Sequence, residues 1–119
     1  MASLKNIDLV VRDIRHAVAF FRDVVGLSVL QEFERFAELD GVPIKLLLSP
    51  DALVPISYAG GIILHFEEPD TASAVRRATA FGAPVLRGPL QTDWGTNSVL
   101  VQGPEGVIVD FYRLTQAVL

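Results

Sequence analysis

The chain has 119 residues, 50% of them hydrophobic and 20% charged, with a net charge of −4. That length suits one compact domain with a real core, and ten basic residues spread along it make no stripe for nucleic acid or an anionic membrane. The absence of cysteine excludes disulfides, thiolate metal sites and a cysteine nucleophile.

Ile7 to Val11, mostly β-branched and aliphatic, reads as a strand. Asp13 then stands where an N-cap belongs. Apolar residues at Ile14, Ala17, Val18, Phe21, Val24 and Val25 follow at helical spacing, and Gly26 stops the helix. Strands are expected over Leu27–Phe33, Phe36–Leu39 and Ile44–Leu48, with Asp40-Gly41 turning between the last two. The prolines and glycines of Pro50 to Gly61 mark a connector within the domain rather than a flexible linker. The pattern then restarts. Ile62–Phe66 is a strand, Asp70 or Thr71 caps a helix with Ala74, Val75, Ala78 and Phe81 on its apolar face, and Gly82 ends it. Val85-Leu86 opens a strand, Asn97–Val101 continues, Pro104-Glu105-Gly106 turns, and Val107–Tyr112 closes.

The two halves form an internal repeat. Displacing the first by 57 residues lays Ile7 on Leu64, Leu9 on Phe66 and Asp13 on Asp70, with Gly26 one place from Gly82. Near the end of each half Gly41-Val42 matches Gly106-Val107, which displaces the last strand by 65. One domain over residues 1–119 is expected, with a first module at about 4–49, a connector at 50–60 and a second module at about 61–113.

Val11-Arg12-Asp13 followed by Phe20-Phe21-Arg22-Asp23-Val24-Val25-Gly26-Leu27 is similar to the opening of the vicinal oxygen chelate proteins, the superfamily of glyoxalases, bleomycin-resistance proteins and extradiol dioxygenases. Gly60-Gly61-Ile62-Ile63-Leu64 resembles the strand that opens their second half. Asp93-Trp94-Gly95 and Gly103-Pro104-Glu105-Gly106-Val107-Ile108-Val109-Asp110-Phe111 resemble its close. The resemblance covers essentially the whole chain. It implies an α+β fold of two tandem βαβββ modules in a curved, incompletely closed mixed β-barrel with a central cleft, and a homodimer.

Metal-dependent members of that family hold a divalent ion with two ligands per module, one on the first strand and one on the last. By the resemblance those positions are Asn6, Lys45, Ile63 and Asp110. Isoleucine has no lone pair and a protonated lysine has only donors, so no family-type metal is expected. The alternative is a shifted set, Asp8, His65 and Asp110, holding Zn, Ni, Mn or Fe; Asp8 and His65 match one another at the 57-residue displacement. The leading expectation is a metal-free, cytoplasmic binder of a hydrophobic or aromatic small molecule, antibiotic sequestration being one form of it. Asp8, His65, Trp94 and Asp110 are the nominated lining residues, with Phe33, Phe36 and Tyr112 as an aromatic wall. A glyoxalase-type lyase, isomerase or dioxygenase, or a metal-free acid/base enzyme using His65 or a carboxylate such as Glu32, Glu34 or Glu38, stands as the alternative. His16, Arg76-Arg77 and Glu67-Glu68 read as solvated.

Overall fold

The computed structural model describes residues 1–56 and 61–115; positions 57–60 of the expected connector lie outside the described residues. The chain divides into two compact units, Met1–Tyr58 and Ala59–Leu119, and each builds its own sheet. Among the described residues no helix is long and apolar enough to cross a membrane.

In the first unit, β1 (Asn6–Val10) leads to α1 (Ile14–Phe20), then to β2 (Ser28–Phe33), β3 (Phe36–Asp40) and β4 (Lys45–Ser49). The sheet order is β1-β4-β3-β2, with β1 parallel to β4 and the other neighbours antiparallel. The carboxylate of Asp13 accepts the His16 backbone N–H at 3.0 Å, which satisfies one orphan donor of the first turn. Beyond Phe20 the helix widens into a π-type turn, Phe21–Val25, where plain α-helical spacing predicts no change of pitch. The wider turn lets Phe20 join Phe21 in the core, their rings edge to face with centroids 5.3 Å apart. Ala17, Val18 and Val24 are buried with them, as are Ala37, Leu39, Leu46 and Leu48 on the covered face of the sheet.

The second unit repeats the plan. β5 (Ile63–Glu67) and α2 (Thr71–Phe81) precede β6 (Val85–Gln91), β7 (Thr96–Gln102) and β8 (Ile108–Leu114), in the order β5-β8-β7-β6 with β5 parallel to β8. Asp70 is the cap, accepting the Ser73 N–H at 2.9 Å. Val99, Val101, Val109 and Phe111 are buried on the face toward α2, together with Ala74 and Ala78 of the helix. Arg77 and Glu68 are not simply solvated: the guanidinium donates to Glu68 at 2.7 Å and to the Ser73 hydroxyl at 2.8 Å, tying α2 to the end of β5.

Both helices end on a left-handed glycine, Gly26 at φ +91° and Gly82 at φ +89°. A Cβ at Gly82 meets nothing within 4 Å, so only the backbone conformation opposes a side chain there. Gly82→Ala is expected to lower stability by about 1 kcal/mol, read as a lower urea midpoint with unchanged slope. Gly88→Ala should cost more, because φ is +101° and the added Cβ would lie 2.5 Å from the Ser98 carbonyl oxygen.

Candidate functional site

Strand pairing decides which side chains meet. In each unit the first strand pairs with the last, and residues opposite one another share a face. Asn6 pairs with Lys45 and Asp8 with Leu47; Ile63 pairs with Ile108 and His65 with Asp110. The structural counterpart of Asp110 is therefore Leu47, and that of Lys45 is Ile108, which corrects the match of Lys45 to Asp110 drawn from the turn glycines. The cause is local. Four positions separate Gly41 from Lys45, where β4 begins, but only two separate Gly106 from Ile108, where β8 begins.

On the second unit, the face opposite α2 carries His65 beside Asp110, with Tyr112 two residues further along β8. The Nδ1 of His65 and Oδ2 of Asp110 are 2.7 Å apart. A carboxylate only accepts, so with Asp110 ionised the proton on this bond belongs to the imidazole. That leaves Nε2 outward, on a side chain 60% exposed, while the Asp110 side chain is only 8% exposed. Asp110 Oδ1 is buried and has no hydrogen-bond partner among the described residues. Leaving a buried acceptor unmatched costs on the order of 1–3 kcal/mol. Leu100 of β7 is the other strand neighbour of Asp110, and Ile108 precedes it on the same face; neither has a donor to give. The arrangement can orient a ligand by hydrogen bonds, and the imidazole Nε2 can take or give a proton.

On the first unit the face opposite α1 gathers Asp8, Phe33, Phe36 and Glu38. Leu47 stands between Asp8 and Glu38, and Phe33 pairs with Phe36 across the hairpin. Glu38 accepts from Gln31 at 3.0 Å. Phe33 is 61% exposed. Loss of water around Asp8, although much of the residue remains exposed, raises its carboxyl above the ordinary value. Trp94 joins neither face. It is 74% exposed in the turn between β6 and β7, a turn fixed by the Thr92 hydroxyl, which accepts the Thr96 N–H at 3.0 Å.

The divalent ion that the resemblance implies does not fit these residues. The first-strand positions are Asn6 and Ile63, and the register puts Leu47 and Asp110 at the last-strand positions; isoleucine and leucine have no electron pair to donate. In the shifted set, Nδ1 of His65 and Oδ2 of Asp110 are taken up by the bond between them, leaving Nε2 and Oδ1. Among the described residues no group of three or more His, Asp or Glu side chains is arranged to hold a metal ion.

Reading the sequence missed a recess in the first unit, about 410 Å³, lined by Arg12, Asp13, Ile14, Arg15, Glu34, Arg35 and Pro50. Arg12 and Arg15 flank the cap of α1, and that clustering was the available signal. Arg35 is held by Asp51 through contacts of 2.8 and 2.9 Å, an ion pair that spans the hairpin and the residues after β4. None of the seven nominated lining residues borders this recess.

The raised carboxyl of Asp8 has a signed consequence. Ionising it costs more in the folded chain than in the unfolded one, so above its folded pKa it subtracts stability, and the penalty fades as pH falls through that value. Asp8→Asn is expected to raise the melting temperature at pH 7, with the gain shrinking toward zero near about pH 3. Circular-dichroism melts across that range check it; a gain independent of pH would rule out the carboxyl as its source.

Comparison with known proteins agrees with this architecture. No curated protein matches the chain. A solved structure described only as a conserved domain protein is 35% identical, with a TM-score of 0.84, covering 96% of this chain and all of that one. A lactoylglutathione lyase from Agrobacterium tumefaciens is 24% identical (TM-score 0.71, covering 95% and 94%). TnmS3, an antibiotic binding protein from Streptomyces sp. CB03234, is 20% identical (TM-score 0.72, covering 97% and 98%). The family model for the glyoxalase/bleomycin resistance protein/dioxygenase superfamily matches residues 3–111, and with two βαβββ units in tandem the chain belongs to that superfamily.

Proposed function

We propose that the chain is a cytoplasmic, homodimeric small-molecule binder that works without the family-type metal. The ligand has a hydrophobic or aromatic body and engages the open face of the second unit. One observation carries this reading: a buried Asp110 whose Oδ2 holds His65 and whose Oδ1 has no partner among the described residues, set among Leu100, Ile108 and Tyr112. Few polar groups on an apolar floor are the usual makings of a ligand site. Sequestration needs tight binding and no chemistry, so side chains at the metal positions that cannot coordinate an ion are compatible with it. The likeness to TnmS3, an antibiotic binding protein, supports that form of the reading.

A second reading rests on the same pair. An imidazole held by a carboxylate through Nδ1, with Nε2 exposed, is oriented for general acid/base catalysis without a metal. The fold alone does not choose between the two.

Thermal shift and calorimetry across a panel of aromatic antibiotics, set against turnover of 2-oxoaldehyde–thiol adducts, separate binder from enzyme. Under the leading reading an antibiotic raises the melting temperature and no adduct is consumed. His65→Ala is expected to weaken binding by up to about tenfold, the worth of one ordinary hydrogen bond. Unchanged affinity in both His65→Ala and Asp110→Asn would dismiss this face as the site. Light scattering should give twice the 13.0 kDa chain mass.

A further inference from the structure

We infer that the His65–Asp110 pair reads hydrogen-bond donors: it selects ligands presenting N–H or O–H groups, neutral or cationic, and turns away carboxylates and phosphates of the same shape. The inference rests on the proposed binding role and names the ligand class for the same face.

Three features carry it. The Nδ1 proton of His65 is committed to Asp110 Oδ2 at 2.7 Å, so the neutral imidazole offers a ligand only the lone pair of Nε2. Asp110 Oδ1 is buried and without a hydrogen-bond partner among the described residues, so no neighbouring donor offsets the carboxylate charge there. On this face Leu100 and Ile108 add no donor, and the Tyr112 hydroxyl, two residues along β8, can accept as well as donate. The exposed Nε2 lone pair matches a ligand N–H, such as that of an amidine, a guanidine, a primary amide or a protonated amine. An anion brought to the same place meets a carboxylate charge that burial leaves poorly screened. Glu67, two residues beyond His65 on β5, adds to that repulsion. Arg87 is the nearest cation along the row, but it lies on edge strand β6, exposed and beyond Leu100. Strand spacing puts it roughly 10 Å from Asp110, where water and salt weaken its field.

Three probes with one phenyl body isolate the effect: benzamidine, benzamide and benzoate. Each is titrated into the intact protein while the His65 imidazole nitrogens are followed by 15N NMR, with His65→Phe assigning the signals. Benzamidine and benzamide should shift Nε2, with benzamidine bound at least about tenfold more tightly than benzoate. Asp110→Asn should bring amidine and benzoate to within about twofold of each other. The ranking in the unaltered protein stands as a test even if that variant fails to fold. Benzoate binding at His65 as tightly as benzamidine would overturn the inference and leave the binding role intact. If no probe at about 10 mM moved any signal from the open face, the binding role would fall and the inference with it.

Discussion

Parallel pairing of the first strand with the last is the constraint on which the rest of each unit depends. A parallel pair needs a crossover, and the capped helix supplies it, covering one face of the sheet. The opposite face is left to side chains at alternate positions, so a displacement by one residue would send His65 and Asp110 to different sides. The hydrogen bond between them is thus a product of register. Leu9 and Leu48 in the first unit, and Val109 and Phe111 in the second, hold that register, because slipping would drag buried apolar groups into water.

Much of this was legible in the sequence. Asp13 and Asp70 announced two helix starts, Gly26 and Gly82 two helix stops, and the repeat between them announced two modules of the same kind. These signals are local: a cap needs its own carboxylate and the next turn, and a left-handed residue needs only itself. The nominated residues divide more unevenly. Asp8, Phe33 and Phe36 fall on one open face and His65, Asp110 and Tyr112 on another, since strand alternation is also written locally. Trp94 went to a hairpin tip because the turn chemistry of Thr92 and Thr96, rather than aromatic character, fixes that segment.

What the sequence hid were the quantities set by chain geometry at a distance. The turn glycines Gly41 and Gly106 match, yet the strands after them start at different intervals, and this sent Lys45 to the wrong counterpart. No local pattern reports how many residues a turn spends before pairing begins. The π-type turn after Phe20 was hidden for a related reason: core packing selects it, against the α-helical pitch that the apolar spacing suggests. The arginine-lined recess likewise arises only when the β2–β3 hairpin returns beside the start of α1.

The two members of the polar pair occupy unlike places in their sheet. Asp110 is on β8, an interior strand bonded on both sides, whereas His65 is on β5, which forms the border. An interior strand has little freedom to shift, so the carboxylate is a fixed reference point; a border strand with an exposed side chain tolerates replacement at small cost. Replacement at position 65 therefore asks little of the fold, whereas a change at position 110 must be absorbed by a strand held from both sides.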